Sequence, residues 1–306
     1  MKSKEIVFIV GPTAVGKSAV ALALAERLKG EIISCDSMQI YKEITIASSK
    51  PTAAQRKRVA HHLIDVASVT EEFDVAHFSK LVNQAIKEVH GRAAVPVVVG
   101  GSGLYMQILL DGIFEGKGKD DAFREELKRM ADAKGVEFLY KKLLKVDPGA
   151  AAKMHTNDLR RIIRALEVYE LSKQPISTLQ KNRQGLWEKY AVRLFGLRQD
   201  REELYARINN RVDAMFGEGL VAEINKLTDL PLSLTAQHLI GVKEVLSYLK
   251  GETSIDMAKD RLKQNTRHLA KKQMTWFRKE KRIDWIDVRK DNTPAQVAEK
   301  IMERLA

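Results

Sequence analysis

Apolar and polar positions follow two different patterns along the first hundred residues. Four short apolar runs, "EIVFIVG", "EIISCD", "HHLIDV" and "VPVVVGG", are separated by amphipathic segments such as Ser18 to Leu28 and Val75 to Val89. Short apolar strands that alternate with helices are typical of a parallel sheet with helices on both faces. We therefore predict an α/β fold in which a parallel sheet is flanked by helices.

The hydrophobic pattern changes between about Phe114 and Tyr190. The segments "FREELKRM", "VEFLYKKLLKV" and "NDLRRIIRALEVYELSK" have helical spacing, and a glycine- and lysine-rich stretch, "EGKGKDD", precedes them. Strand patterns return in "AVRLFGLRQD" and "RIDWIDV", with helical patterns in "REELYARINNRVDAMF" and from about Ile255 to Lys281. We predict a core domain formed by residues 1–114 and 191–306, and an all-helical lobe inserted at residues 115–190.

The composition is that of an ordinary globular protein. Of 306 residues, 44% are hydrophobic and 30% are charged, and no apolar stretch reaches the ~18 residues that a membrane span requires. The N-terminal "MKSKEIVFIVGP" lacks the pattern of a signal peptide, because its short apolar run continues into a glycine loop. The single cysteine, Cys35, excludes an internal disulfide and a cysteine-based zinc finger. We expect a cytoplasmic protein that does not enter a membrane.

A phosphate-binding loop follows the first predicted strand. Its residues match G-x-x-x-x-G-K-[ST] at every fixed position and precede a predicted helix: Gly11, Pro12, Thr13, Ala14, Val15, Gly16, Lys17 and Ser18. The glycines permit turns that point successive backbone N–H groups inward, and the helix N-terminus adds its dipole. Lys17 supplies a positive charge, and Ser18 supplies a hydroxyl for Mg²⁺. The α/β domain is therefore predicted to be of the P-loop type and to bind a phosphate group.

The loop does not by itself identify a nucleotide as the ligand. An NTPase also needs an Asp at the end of a later apolar strand to hold the metal ion. The run "VPVVVGG" ends in glycines, and "HLIDV" offers only Asp65. No segment specific for adenine is evident.

Two further polar side chains end predicted strands. Asp36 ends "EIISCD", and Ser102 lies among Gly100, Gly101 and Gly103 after the strand of "VPVVVGG". Ligands of open α/β sheets bind at the carboxyl ends of strands, so both side chains should face the phosphate loop. Asp36 could take a proton or hold a metal there, or it could only cap a turn or helix. The glycines could let a ligand approach the backbone, or they could form a plain turn.

The net charge of +12, with a pI near 9.6, indicates either a solvated basic surface or a polyanionic partner. Between Lys259 and Arg282, ten residues are Lys or Arg and two are acidic. Leu262, Leu269 and Trp276 recur every seven residues and predict a buried stripe. A second stripe at helical spacing could follow a phosphate backbone. This basic stripe consists of Lys263, Arg267, Lys271 and Arg278.

Another basic cluster lies in the predicted lobe. Arg160, Arg161 and Arg164 follow a predicted helix start, "TND". Arginines near a helix N-terminus oppose its dipole, at a cost of roughly a few tenths of a kcal/mol each. An external anion could offset that cost, unless the arginines only form a solvated face.

Together these motifs resemble those of one family, the tRNA dimethylallyltransferases, also called tRNA isopentenyltransferases, in their bacterial type. The landmarks cover nearly the whole chain: "GPTAVGKS", "DSMQIYK", "KPT", "HHLID", "VGGSGLY", "NDLRRIIRALEV", "REELYARINNRV", "GLVAEI", "IGVKE" and "AKKQMTWFRK". The resemblance implies transfer of a dimethylallyl group from dimethylallyl diphosphate to N6 of adenosine 37 in tRNA, with release of diphosphate. It also implies that the loop holds the donor's diphosphate with Mg²⁺, and that ATP takes no part.

The resemblance also implies roles for individual residues. Asp36 matches the family's general base, and Lys17 and Ser102 are the other implied catalytic residues. Separately from the resemblance, Arg207 and Arg211 lie one helical turn apart, so either at least one of them reaches the diphosphate or both are solvated. The implied contacts with the tRNA anticodon stem-loop are Asp36, Ser37, Met38, Gln39, Ser102, Arg124, Arg160, Arg161, Ile162, Ile163, Arg164, His238, Leu239, Ile240, Gly241, Val242 and Lys243. The charge pattern adds the basic stripe to the predicted tRNA contacts. We expect the chain to act as a monomer.

The chain departs from the family's pattern at two landmarks. After "DSMQIYK" it reads "EITIASSKPT" where the family commonly has "GMDIGTAKPT". Likewise, "IGVKE" replaces the commoner "IGYKE". The first change affects small-residue contacts between Glu43 and Ser49, and the second removes an aromatic side chain at Val242.

Three other interpretations stay open at the level of sequence. An ATP-dependent kinase of the nucleoside or shikimate type would explain the loop and Asp36, but neither the basic helices nor the lobe. An adenylate isopentenyltransferase would share the donor chemistry and would have no use for the basic stripe. A non-catalytic RNA-binding protein would not need the intact Gly16, Lys17, Ser18 and Asp36.

Overall fold

The computed structural model describes residues 4–114 and 118–306. Within these residues, six parallel strands form one sheet in the order β3-β2-β4-β1-β5-β6. The strands are β1 (Glu5–Val10), β2 (Glu31–Ser34), β3 (His61–His62), β4 (Pro96–Gly100), β5 (Ala191–Arg198) and β6 (Asp284–Asp287). The predicted parallel α/β fold is confirmed.

Both faces of the sheet are covered by helices. Successive residues of a strand point to opposite faces, and the residues from Ile6 to Ile9 all have 0% exposure. None of the described helices has the length and apolar character needed to cross a membrane. In chain order they are α1 (Lys17–Leu28), α2 (Ala53–Arg58), α3 (Val75–Gly91), α4 (Gly103–Asp111), α5 (Asp121–Lys134), α6 (Val136–Val146), α7 (Pro148–Ala151), α8 (Leu159–Ser172), α9 (Ile176–Leu179), α10 (Leu186–Lys189), α11 (Arg201–Gly217), α12 (Leu220–Asn225), α13 (Leu234–Gln237), α14 (Val242–Leu249), α15 (Ile255–Phe277) and α16 (Pro294–Leu305), with a 3₁₀ turn at Gln180–Asn182.

The apolar run "HHLIDV" is a much shorter strand than predicted. Only His61 and His62 pair with β2. Leu63 and Asp65 have φ values of +59° and +61°, a left-handed conformation that ends an extended strand. Asp65 is also held by ion pairs to Lys50 and Arg56, each at 2.7 Å.

Residues 111–188 form a compact unit, and residues 1–110 with 189–306 form the other. The sequence placed the lobe at residues 115–190, a few residues later, and residue 115 lies outside the described part of the chain, as does the start of "EGKGKDD". The lobe has a core of its own, which includes Leu127, Leu139, Leu143, Ile162 and Leu166. Its helices α5, α7 and α8 begin at Asp120, Asp147 and Asp158, whose carboxylates accept backbone N–H groups.

Helix α15 buries a different stripe from the predicted one. Ala258, Leu262, Ala270 and Phe277 are at most 1% exposed, whereas Leu269 and Trp276 are half-buried. The helix packs against α11 and α14. Alanines occupy part of the buried face, and a search for large apolar residues at a fixed spacing overlooks them.

Candidate active site

The phosphate loop leads from β1 into α1. Gly11 has a φ of +146°, and a Cβ there would lie 2.5 Å from the carbonyl oxygen of Leu197. Gly16 is the N-cap residue of α1 with a φ of +99°, which glycine adopts without steric cost. The unpaired N–H groups of the first helical turn and the helix dipole make this an anion-binding position.

Lys17 is the cation of the loop. Its ammonium donates a hydrogen bond to the carbonyl oxygen of Pro12 at 2.8 Å. Burial lowers the pKa of Lys17 to about 8, while the charge of Asp36 opposes this shift and Arg211 adds to it. A bound diphosphate would supply the negative charge that stabilises this desolvated cation.

Two arginines of α11 reach the same loop. Arg211 donates from Nη1 to the hydroxyl of Thr13 at 3.4 Å and from Nη2 to the hydroxyl of Ser49. The Nη2 of Arg207 lies 3.4 Å from the position that a Cβ on Gly16 would take. One helical turn separates the two guanidinium groups along α11, so both can face one anion.

Asp36 lies two residues beyond β2, near these cations. Its Oδ1 accepts the backbone N–H of Met38 at 2.8 Å, so it closes a local turn as one of the two sequence interpretations expected. Its charge nevertheless acts on both Lys17 and Arg211, since it raises the pKa of each against the effect of burial. A half-buried carboxylate therefore lies near enough to Lys17 and Arg211 for its charge to act on both.

Ser102 follows β4, which lies between β2 and β1 in the sheet. It is half-buried and immediately precedes α4. A Cβ on Gly100 would lie 1.9 Å from the carbonyl oxygen of Cys35, one on Gly101 2.5 Å from Nε2 of Gln273, and one on Gly103 2.4 Å from the Trp276 ring. The protein itself fills the space on the Cβ side of each glycine, so the absence of a side chain lets these elements pack closely.

The segment after Asp36 is half-buried at Ser37, Met38 and Gln39. The amide of Gln39 already has protein partners: it accepts from the hydroxyl of Ser34 at 2.9 Å and donates to the carbonyls of Ser48 and Ser49 at 3.4 Å. The side chain of Gln39 therefore holds the segment that contains Ser37 and Met38 against the protein.

Ser18 is the residue that the sequence predicted to bind Mg²⁺. Its side chain belongs to the first turn of α1 and is exposed. The described residues include no group of three or more His, Cys, Asp or Glu that could hold a metal ion. Mg²⁺ commonly keeps several waters and binds through one or two protein ligands together with substrate phosphates. The loop fits an ion of that kind, held mainly by a bound diphosphate.

The basic stripe of α15 is divided by its neighbours. Lys263 forms an ion pair with Asp213 of α11 at 2.8 Å, and Arg267 donates to Oδ1 of Asn209 at 2.6 Å. Lys271 and Arg278 are exposed. Side chains of α11 therefore already contact Lys263 and Arg267, and Lys271 and Arg278 are the more accessible cations of the stripe.

The predicted contacts in the lobe divide in a similar way. Arg124 and Arg164 bind the fully buried carboxylate of Glu167, in both cases at 2.7 Å. Arg160 and Arg161 are exposed. Ile162 and Ile163 are 0% and 6% exposed and belong to the core of the lobe, so their side chains are not accessible to a tRNA in this structure. The sequence suggested that an external anion offsets the charge of the clustered arginines. For Arg164, the carboxylate of Glu167 inside the lobe already does so.

The segment from His238 to Lys243 also alternates between surface and core. His238 and Lys243 are exposed, and Ile240 is half-buried. Leu239 and Val242 are 8% and 0% exposed, and Gly241, with a φ of +98°, begins α14. Leu239 and Val242 pack inside the protein, so their side chains are not available for the tRNA contacts that the resemblance implied.

Two residues at this site went unnoticed in the sequence. Gln273 accepts the backbone N–H of Thr13 at 2.8 Å and donates to the carbonyl oxygen of Gly101 at 3.0 Å. Glu223 accepts three successive backbone N–H groups, of Thr45, Ile46 and Ala47, at 2.9, 2.8 and 3.0 Å. Both lie within the landmarks "AKKQMTWFRK" and "GLVAEI", but a polar residue on a helix does not reveal a distant backbone partner.

Comparison with known proteins gives a consistent result. A sequence profile of the IPP transferase family matches residues 39–280. A tRNA dimethylallyltransferase of Carboxydothermus hydrogenoformans is 43% identical over 99% of this chain and 96% of its own length. The crystal structure of a tRNA isopentenylpyrophosphate transferase from Bacillus halodurans has 40% identity and a TM-score of 0.72, covering 99% of this chain and 97% of its own. A eukaryotic dimethylallyltransferase described as acting on tRNA has 29% identity and a TM-score of 0.77, covering 93% and 74%.

Proposed function

The chain belongs to the IPP transferase family, the tRNA dimethylallyltransferases, and we propose on that basis how its own side chains perform the transfer. It is a prenyltransferase that transfers a dimethylallyl group to tRNA. The kinase, the adenylate-modifying enzyme and the non-catalytic RNA-binding protein are thereby excluded. The identity of the donor, the atom modified and the role of each residue are our proposals.

We propose dimethylallyl diphosphate as the donor and N6 of adenosine 37 as the acceptor. The observation that supports the donor is the convergence of Lys17, Arg207 and Arg211 on one phosphate loop, with the charge of Asp36 acting on Lys17 and Arg211; the acceptor follows from the family resemblance. Three cations beside a helix N-terminus suit a diphosphate, which must be bound and then released.

The reaction exchanges one bond for another. An exocyclic adenine amine is a weak nucleophile, because its lone pair is delocalised into the ring. The allylic carbon of the donor must therefore gain positive charge while its bond to the diphosphate oxygen breaks and a bond to N6 forms. Lys17 and the two arginines stabilise the negative charge that develops on the leaving diphosphate.

Asp36 accepts the proton that N6 loses. Its position at the end of β2, across β4 from the loop, suits a base that approaches the amine while the donor stays at β1. General-base catalysis contributes about 10²–10⁴-fold to a rate. Ser102, at the end of the intervening strand β4, offers a hydroxyl that can orient the adenine.

Mg²⁺, bound through Ser18 and the diphosphate, would neutralise charge on the leaving group. The hydroxyl of Ser18 is suited to this because it is exposed at the start of α1.

For the tRNA, we propose that the exposed cations make the phosphate contacts. These are Arg160 and Arg161 in the lobe and Lys243, Lys271 and Arg278 in the core unit. Ser37 and Met38 adjoin Asp36 and would meet the target base. That base has to leave its stack, at a cost of roughly a few kcal/mol that backbone contacts can offset. We further propose that the protein acts as a cytoplasmic monomer.

The proposal is tested by incubating the protein with unmodified tRNA, Mg²⁺ and dimethylallyl diphosphate, followed by mass spectrometry of the digested nucleosides. We expect an adenosine carrying one dimethylallyl group, mapped to position 37. ATP in place of the donor should give no product and no calorimetric binding to the loop. Modification of free AMP, or of another tRNA position, would contradict the proposed acceptor.

A further inference from the structure

One peptide unit of the phosphate loop is held from both of its ends. The carbonyl oxygen of Pro12 accepts a hydrogen bond from the Lys17 ammonium at 2.8 Å. The N–H of Thr13, which belongs to the same peptide bond, donates to Oε1 of Gln273 at 2.8 Å. The orientation of this one plane is therefore linked to the position of the Lys17 ammonium.

Gln273 is itself fixed by a second contact. Its Nε2 donates to the carbonyl oxygen of Gly101 at 3.0 Å. A Cβ on Gly101 would lie only 2.5 Å from that nitrogen, so the amide fits closely against the turn that leads to Ser102. One turn further along α15, the Trp276 ring packs on Gly103. The amide group has little freedom to rotate, because both of its ends are engaged.

The contact also has a chemical consequence for the loop. Hydrogen bonds in a chain polarise one another, and this effect is stronger where water is excluded. A peptide whose N–H is already donating has a more negative carbonyl oxygen. Gln273 therefore strengthens the carbonyl acceptor that orients Lys17. Its own side-chain amide contacts the backbone of Thr13 and Gly101.

We propose that Gln273 is a positioning residue for the transfer: it fixes the Pro12–Thr13 peptide and thereby sets the Lys17 ammonium for the donor diphosphate. This inference rests on the proposed function, since it presumes that the loop holds the donor. It assigns to α15 a role inside the donor site, in addition to the exposed cations that the helix carries.

The test replaces Gln273 by Met, which has nearly the same length and no strong hydrogen-bonding group. The loss of the Thr13 contact should raise the KM for dimethylallyl diphosphate about 10-fold and lower kcat, while the KM for tRNA stays unchanged. Gln264→Met is the matched control, because Gln264 is an exposed glutamine of the same helix. The control variant should have the same donor KM and the same kcat as the parent protein. An unchanged donor KM and kcat in Gln273→Met would overturn the proposal.

A double-mutant cycle separates positioning from general loosening of the fold. If Gln273 acts through Lys17, the Gln273→Met change should weaken donor binding far less in a Lys17→Ala background than in the parent protein. Equal effects in both backgrounds would show that Gln273 acts independently of Lys17 and would overturn the inference. Should Gln273→Met fail to fold, Gln273→Asn, whose shorter side chain cannot keep both contacts, is read in the same cycle.

The same cycle distinguishes this inference from the proposed function on which it rests. If Lys17→Ala does not weaken donor binding, then the loop is not the donor site and the proposed function fails. If Lys17→Ala weakens binding while Gln273→Met has no effect, only the role of Gln273 is lost.

Discussion

At the scale of single residues, the site is defined by an imbalance of charge. Lys17, Arg207 and Arg211 lie at one loop, and the carboxylate of Asp36 is close enough to act on Lys17 and Arg211. Burial destabilises the charged form of Lys17 enough to bring its pKa to about 8. The loop is therefore ready for an anionic ligand, and its affinity should depend on pH.

The first prediction concerns Lys17. Since Lys17 loses its charge as pH rises through about 8, the affinity for dimethylallyl diphosphate should fall over that range. Lys17→Ala should weaken donor binding about 10–100-fold below that pH, slow the reaction, and flatten the pH dependence. Isothermal titration calorimetry with the donor and Mg²⁺ measures all of these effects except the rate.

Arg207→Ala is the control for this experiment. It removes a cation from the same loop, but a guanidinium does not titrate in this range. The variant should bind the donor more weakly at every pH and keep the decline above about 8. A pH dependence that survives in Lys17→Ala would assign the titration to another group.

The second prediction concerns Asp36. Replacement by Asn keeps the shape and the turn with Met38 but removes the proton acceptor. The rate of transfer should fall by about 10²–10⁴-fold, with nearly unchanged donor affinity. Single-turnover kinetics under saturating tRNA measures the rate, and calorimetry measures the affinity. Near-normal turnover would exclude Asp36 as the base.

At the scale of elements, α15 combines buried packing residues with exposed cations. One face packs through Ala258, Leu262 and Ala270, and Gln273 reaches the phosphate loop from the same helix. Lys271 is exposed on the same helix, and Arg278 is exposed just beyond its C-terminal end. The third prediction separates its exposed lysines from its paired ones.

Lys271→Ala should flatten the dependence of tRNA affinity on salt by about 0.7–0.9 in the slope of log affinity against log salt. It should weaken different tRNAs alike, because a phosphate contact carries no base information. Lys263→Ala should change the slope less, since Asp213 already neutralises that ammonium at 2.8 Å. Lys87→Ala, an exposed position on α3, controls for net charge. Equal slopes in Lys271→Ala and the parent protein would show that Lys271 is a solvated surface residue that does not contact a tRNA phosphate.

The fourth prediction concerns the junction of α5 and α8 in the lobe. Burial alone would raise the pKa of Glu167, but hydrogen bonds from Arg124, the Asp120 N–H and Arg164 hold it below its usual value. The Glu167 carboxylate is therefore charged at every pH above the ordinary pKa of a glutamate. The stability that it gives is lost only as pH falls through its lowered pKa. Glu167→Gln leaves the arginines without their buried anion.

The expected cost of Glu167→Gln is near the lower end of ~3–5 kcal/mol, because Arg124 and Arg164 are themselves partly exposed. Hydrogen exchange of the α5 and α8 amides measures it locally. Glu170→Gln is the matched control: its pair with Lys173 is exposed, and such pairs contribute about 0–1 kcal/mol. Similar exchange rates in both variants would contradict a structural role for Glu167.

At the scale of the whole molecule, the chain contains two units with separate hydrophobic cores. The lobe core is built from side chains of α5 to α9, with Leu139, Leu143 and Ile162 at 0% exposure. Our fifth prediction is that residues 111–188, expressed alone, fold into a helical unit. Circular dichroism should show a cooperative thermal transition, and the same fragment carrying Ile162→Asp should lack it. A non-cooperative signal from the parent fragment would show that its core depends on the rest of the chain.

The local pattern of the sequence determined most of the elements and the chemistry of the loop. Strand and helix periods predicted the parallel sheet and the inserted helical lobe, because they depend on which face of each segment is buried. The loop motif predicted a phosphate site in the same way, since Gly11, Gly16 and Lys17 act through backbone geometry only a few residues away. Short-range physics of this kind can be read from residues that are adjacent in the chain.

Only the tertiary structure decided which polar side chains remain available to a ligand. The sequence does not reveal that α11 supplies partners for Lys263 and Arg267, or that the core of the lobe encloses Ile162. Gln273 gave no signal at all, because its partners Thr13 and Gly101 are far away in sequence. Hydrogen bonds and ion pairs depend on atoms within a few ångströms of each other, and distances between residues so far apart in the chain are set by the fold.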